Sequence, residues 1–340
     1  MKRTIALLLA LVLCVGLLAG CGGNAQESSA PNSAAPEGGE SSAPTLNYDL
    51  IIATGGTGGS YYPYGGAIAQ ILSDNIPGVT ATATATGASA ENCRNLNSKD
   101  ADLAIVQNDV LDYAYNGTEL MSEGGALTNL ATIACLYPEV VQIVVTKESG
   151  IESIADFVGK RISVGAAGSG VEANARHILE AYGVSYSDFN VNYLGFSESS
   201  TGMQNKTLDG AFITAGIPNS SIMELSSMVD CKLITIDQDV LDKLSAEHSF
   251  YSTYEIADGD YENISGGATT ASILATLACS ADLDEELVYQ ITKTLFEKQP
   301  ELATAYAKGA DLSLDTALAG VSIPLHPGAE RYYKEAGILD

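Results

Sequence analysis

The chain has 340 residues and carries 42 acidic against 16 basic side chains, a formal net charge of −26. Such an excess of acid repels nucleic acid and acidic lipid head groups, so neither is an expected partner. A small anionic ligand is not drawn by overall charge either, and needs local N–H dipoles to hold it.

Lys2 and Arg3 precede an apolar run from Ile5 to Leu18, which ends in Leu18-Ala19-Gly20-Cys21. A basic start, a short apolar core and small residues before a cysteine read as a secretion signal with a bacterial lipobox. Residues 1–20 are expected to be removed. Cys21 then becomes a diacylated N-terminus on the outer face of the bacterial cytoplasmic membrane. The run is shorter than the roughly 20 apolar residues of a comfortable membrane span. Residues 21–45, rich in Ser, Ala, Gly, Pro and Glu, bury too little apolar surface to fold and read as a disordered tether. The roughly 300 residues beyond it suffice for two lobes, each with its own core.

From Tyr48 the pattern alternates: strand 48–54, helix near 64–76, strand 79–86, helix near 89–97, strand 102–107. Ile68, Ile71, Leu72 and Ile76 recur at helical spacing, and the run Val79–Thr86 is small and β-branched, so the two should pack together. A long strand-like run, 130–146, contains Tyr137-Pro138-Glu139. A proline interrupts a sheet ladder, which predicts a bend between lobes there. Beyond it come strands near 140–146, 161–165, 191–194, 210–214 and 233–236, with helices near 153–158, 171–182 and 200–206. After a polar, irregular stretch (248–267), the apolar run 268–279 and a helix near 284–297 read as a return to the first lobe. The expected fold is α/β, with lobe 1 at 46–137 plus 258–340, lobe 2 at 138–257, and paired hinge strands near 130–146 and 268–279. Cys93, Cys135, Cys231 and Cys279 fit no zinc spacing. Disulfides remain open, but the apolar setting of Cys135 and Cys279 favours buried thiols.

Two glycine-rich loops carry the functional signal. Thr54-Gly-Gly-Thr-Gly-Gly-Ser-Tyr-Tyr-Pro63 follows a strand and opens a helix, and Gly165-Ala-Ala-Gly-Ser-Gly-Val171 repeats the arrangement. Such loops turn sharply, aim several N–H groups at one spot and add the positive end of a helix dipole. A small anion fits there. Neither loop ends in the Gly-Lys-Ser/Thr of a P-loop, and the strand after the first ends in Thr86-Gly87-Ala88, without the acid a dinucleotide site needs. Catalytic groups are sparse: His177, His248 and His326 form no metal pair, and Ser169 is not in a nucleophile elbow. Asp100/Asp102 and Glu285/Glu286 read as solvated helix ends or turns. No catalytic residue, metal or cofactor is expected. Tyr61 and Tyr62 offer an aromatic wall with a polar tip beside the first loop.

These loops, together with Gly87-Ala-Ser-Ala-Glu-Asn92, Asp102-Leu-Ala-Ile-Val-Gln-Asn-Asp109, Phe212-Ile-Thr-Ala-Gly-Ile-Pro218 and His326-Pro-Gly-Ala-Glu-Arg-Tyr-Tyr-Lys334, resemble the TAXI family of TRAP-transporter solute receptors over about residues 46–340. The resemblance implies a type II periplasmic-binding-protein fold, with a ligand held between lobes and passed to TRAP-type membrane permease subunits. The implied ligand is a small carboxylate or amino acid: glutamate, glutamine, 2-oxoglutarate or a related dicarboxylate. The contacts it implies are Thr57, Gly58, Gly59, Ser60 and Tyr61, then Ser89, Asn92, Gln107 and Asp109, and across the cleft Gly168, Ser169, Gly170, Val171 and Asn174. Gln107, Asp109 or Tyr137 can serve an amino or carbonyl group. Asn174 can equally cap or pack. No arginine stands in the loops, so the N–H groups have to hold the carboxylate. A receptor of similar fold serving an ABC importer is the alternative, and an extracellular hydrolase is a third reading that the missing triad argues against.

Overall fold

The computed structural model describes residues 46–340; the expected secretion signal, Cys21 and tether lie outside the described residues. The chain begins with β1 (Tyr48–Ala53), α1 (Tyr61–Asn75), β2 (Val79–Thr84), α2 (Ser89–Ser98), β3 (Leu103–Gln107) and α3 (Asn108–Asn116), and then runs through the long β4 (Leu130–Thr146). Next come β5 (Arg161–Ser163), α4 (Gly170–Ala181), β6 (Asn190–Asn192), α5 (Phe196–Gln204), β7 (Gly210–Ala215), α6 (Ser220–Met228), β8 (Cys231–Leu233), α7 (Gln238–Glu247) and β9 (Ser252–Ile256). The long β10 (Ala268–Ser280) leads into α8 (Glu285–Glu297), α9 (Gln299–Ala305) and α10 (Pro327–Glu335).

The ten strands among the described residues form one sheet, ordered β2-β1-β3-β10-β4-β7-β5-β6, with β8 on β4 and β9 on β10. β1, β2 and β3 are parallel, as are β7, β5 and β6, because a helix returns the chain between each pair. β4 and β10 run antiparallel to each other and belong to both ends of the sheet. At about 3.3 Å per residue, the seventeen residues of β4 reach on the order of 55 Å. One strand therefore serves two cores.

Each end of the sheet is covered on both faces. At one end Leu103 and Ile105 face α1, α8 and α10, while Ala104 and Val106 face α2 and α3. At the other, Val141, Ile143 and Val145 face α4 and α7, while Val140 and Val144 face α6. Burial on both faces is why these strands read as unbroken apolar runs rather than alternating ones. Tyr261, Ile264 and Ala268, grouped with the first lobe by sequence, pack with Val140 and Val144 at the second end.

The ladder break expected at Pro138 is absent: β4 runs through it as one strand. Pro138 is exposed and pairs with Leu274, and the two register shifts, at Ala275/Thr276 and Leu277/Ala278, leave Leu136 and Ile133 of β4 without a β10 partner. The stretch expected to be irregular at 248–267 contains β9, which pairs with the start of β10. Five helices, α3, α6, α7, α9 and α10, fall where none is expected. α6 starts because the Asn219 side chain accepts from the Ser221 and Ile222 N–H groups, which compensates a serine-rich first turn. α7 has Val240, Leu241 and Leu244 buried on one face.

Cys93, Cys135, Cys231 and Cys279 are all free and buried. Desolvation pushes the Cys93 and Cys135 thiols up to about 12 and Cys231 to about 11. A thiol reagent at neutral pH should leave all four unlabelled in the native protein and alkylate all four after unfolding without reductant. Peptide mass spectrometry reads both states, and one disulfide-linked pair would contradict this assignment.

Candidate functional site

Five helices start at one place. The N-termini of α1, α2, α3, α4 and α5 follow the loops that line a cavity of about 280 Å³ between the two ends of the sheet. Gly55, Gly56, Gly59, Ser60 and Tyr61 supply the first wall, Thr86 to Ser89 the second, and Ala166, Ser169, Gly170 and Val171 the third. Gln107, Glu139, Gly195, Phe196, Glu198 and Thr214 complete it. Ser169 caps α4 by accepting from the Glu172 N–H at 3.2 Å, and Glu198 caps α5 by accepting from the Gly195 N–H at 3.0 Å. The starts of α1 and α2 have no side-chain cap. Their first-turn N–H groups are free to hold an anion.

Of the residues expected at the site, Gly59, Ser60, Tyr61, Ser89, Gln107, Ser169, Gly170 and Val171 converge on this cavity. Seven others lie off its wall. Thr57 is exposed. The Gly58 carbonyl accepts from Ser221 Oγ at 3.1 Å and Asn219 Nδ2 at 3.2 Å, joining the first glycine loop to α6. Asn92 is a brace: its Nδ2 donates to the carbonyls of Thr54 and Ile105, at 2.6 and 2.8 Å. Gly168 sits at φ +73, a turn position. Tyr137 packs at 5.5 Å from the Tyr64 ring. Asp109 accepts from Asn174 Nδ2 at 3.2 Å, and Asn174 also donates to Tyr251 Oη at 2.9 Å. The Gly58 and Asp109 contacts each link the two ends of the sheet, one with α6 and one with α4.

Across the cavity, Gly170 comes close to Gln107. A Cβ placed on it would lie 1.9 Å from Gln107 Oε1 and 2.4 Å from Gln107 Cδ. Only glycine lets α4 come this near β3.

Glu139 was not among the expected contacts. It is 2 % exposed and lines the cavity, and the Tyr61 hydroxyl donates to its Oε2 at 2.6 Å. Burial raises its carboxyl to about 8, opposed by the bonds from Tyr61 and Gln107 and reinforced by Asp109. Burial likewise raises Asp109 to about 7. A lone acid inside the apolar run 130–146 was the available signal, since a charged side chain is rarely buried without a partner. Gln107 Oε1 and Thr214 Oγ1 are buried without hydrogen-bond partners, and both residues line the cavity.

Between the usual carboxylate range and these raised values, the folded protein holds protons that the unfolded chain releases. The stability that Glu139 and Asp109 contribute to the ligand-free protein must therefore fall as pH rises from about 4.5 to about 8, against an opposite contribution below about 6.5 from His177, whose imidazole burial lowers to about 3. Glu139→Gln should make that decline shallower in thermal melts at pH 5 to 8, and an unchanged slope would place the proton elsewhere.

A family model described as the NMT1-like family matches residues 52–337. The chain belongs to the NMT1-like family. Among solved structures, this NMT1-like chain is similar to the alkanesulfonate-binding protein from Xanthomonas axonopodis pv. citri bound to MOPS, at 18% identity over 84% of this chain and 83% of that one, with a TM-score of 0.50. It also matches the periplasmic aliphatic sulphonate binding protein from Escherichia coli, at 14% identity, 84% and 82% coverage and a TM-score of 0.49. A putative L-cystine ABC transporter protein from Listeria monocytogenes matches at 14% identity, 78% and 98% coverage and 0.49. The fold is the mixed α/β fold of periplasmic binding proteins. His326, in the last of the motifs noted in the sequence, has a structural place: its Nδ1 accepts from the Gly328 N–H at 3.2 Å and so caps α10.

Proposed function

We propose that this protein is an extracytoplasmic, non-enzymatic solute receptor that captures a small anion-bearing molecule between two lobes and delivers it to a membrane importer. The observation that carries this reading is the convergence of five helix N-termini on a cavity of about 280 Å³, three of them, α1, α2 and α3, without side-chain caps. The second lobe takes 138–257 together with the segment through Tyr261, Ile264 and Ala268 that packs on it, the first takes 46–137 and the rest of the chain to 340, and β4 and β10 are the paired hinges. Closure follows from differential affinity: a solute bound to the first glycine loop recruits the α4 and α5 N-termini and favours the closed state. Anchoring through Cys21 at the outer face of the cytoplasmic membrane completes the proposal.

For the delivery partner we place an ABC-type importer ahead of the TRAP-type permease that the TAXI resemblance implies. No Lys, Arg or His lines the cavity, whereas Glu139 and Glu198 do. That lining disfavours the second carboxylate of 2-oxoglutarate or another dicarboxylate, the ligands tied to the TAXI reading, and suits a solute with one anionic group. A sulfonate receptor of this fold supports the same class. An ATPase gene beside this one favours the ABC reading, and a large multi-span permease gene without an ATPase favours TRAP.

Thermal-shift screening of the purified protein, refolded from denaturant to strip carried solute, tests the receptor reading. A solute at a hundredfold its dissociation constant should stabilise by about 2.7 kcal/mol. No shift with any carboxylate, sulfonate or amino acid would overturn it.

A further inference from the structure

The cavity presents two kinds of surface. The loops and helix starts offer donors, while the side chains at the back offer acceptors: Glu139, with the Tyr61 hydroxyl on Oε2, and Gln107, whose Oε1 is buried and unpartnered. Donors suit an anion, and acceptors do not. We infer that Glu139 is the specificity-determining residue of the cavity, selecting solutes that carry a cationic nitrogen beside their anionic group. This rests on the receptor reading and goes further, because an anion clamp alone would take a 2-oxo or 2-hydroxy acid as readily as an amino acid.

The electrostatics agree in sign. A carboxylate fully taken from water is costly unless a counter-charge meets it, and no protein cation lines the cavity to do so. The ligand's ammonium is that counter-charge. The groups around Glu139 are Tyr61 from α1, Gln107 and Asp109 at the β3–α3 junction, and Tyr137 in β4, with Tyr306 also within its field. Among these Asp109 is the other acid, and it lies off the cavity wall. Empty, Glu139 holds its proton up to about pH 8. Binding an ammonium expels it, so capture should release a proton at pH 6 to 7 and strengthen up to tenfold per pH unit until about 8.

Calorimetric titration of the purified protein with matched pairs tests this: alanine, leucine and glutamine beside their 2-oxo counterparts, and taurine beside isethionate. The expected result is tighter binding of the amine member of a pair, with proton release read from buffers of different ionisation enthalpy. Glu139→Gln should weaken the amine about 10- to 100-fold and abolish the release. Wild-type proton release stands as evidence even if the variant folds poorly. If the oxo or hydroxy member binds as well, or binding takes up a proton, Glu139 instead donates to the anion and the inference fails while the receptor reading survives. Failure of every solute sinks the receptor reading first.

Discussion

Gly170→Val should all but abolish solute capture, raising the dissociation constant by about a hundredfold or more, while the solute-free protein melts within a few degrees of wild type. The added side chain would start 1.9 Å from Gln107 Oε1 and 2.4 Å from its Cδ, so Gln107, which is 2 % exposed, could yield only by moving into the cavity that the solute is to fill. Overpacking of this kind costs about 1–3 kcal/mol, and more where the neighbour is pinned. The penalty falls on the closed state, in which β3 and the start of α4 meet. Gly170 is not at positive φ, so the backbone itself tolerates valine, unlike Gly165 at φ +95. Thermal melts with and without the best solute separate the two effects. An unchanged solute-induced shift in Gly170→Val would mean that the cavity does not close on its ligand.

Phe212→Ala should lower the unfolding free energy by about 3–5 kcal/mol in urea titrations. Phe212 is 1 % exposed in β7 and stands edge-on to Phe157 at 6.0 Å between ring centroids. It packs with Val141, Ile143 and Ile162, all within 1 % of full burial, so little can collapse into the space left behind. A loss below 1 kcal/mol would show that this end of the sheet repacks freely. Phe212 belongs to one of the stretches that resemble the TAXI family, and its place in the core accounts for it without any ligand contact.

What the sequence made legible followed from period and punctuation. The run Val79–Thr84, the apolar face of α1 and the two glycine loops each carry a local signature, and the long strands 130–146 and 268–280 stand out because burial on both faces leaves no polar alternation. What stayed hidden depends on contacts far apart in the chain. Asp109 and Asn174 were ligand contacts by the implication of the family resemblance, Asn174 equally able to cap or pack; they bond to each other across 65 positions. Gly58 reads as loop freedom, yet its carbonyl is held by α6, 163 positions away at Ser221. Glu139 was hidden by its neighbour, because Pro138 drew the reading toward a bend and the acid beside it drew none of its own. Its burial becomes visible only when Tyr61 is placed 2.6 Å away.

The account stands on one cavity that closes on one solute. Isothermal titration of the refolded wild-type chain, with the solute giving the largest thermal shift, tests this most directly. The account predicts a stoichiometry of one per chain and loss of the binding heat in Gly170→Val. Binding with full affinity in that variant, or at two equivalent sites per chain, would contradict it.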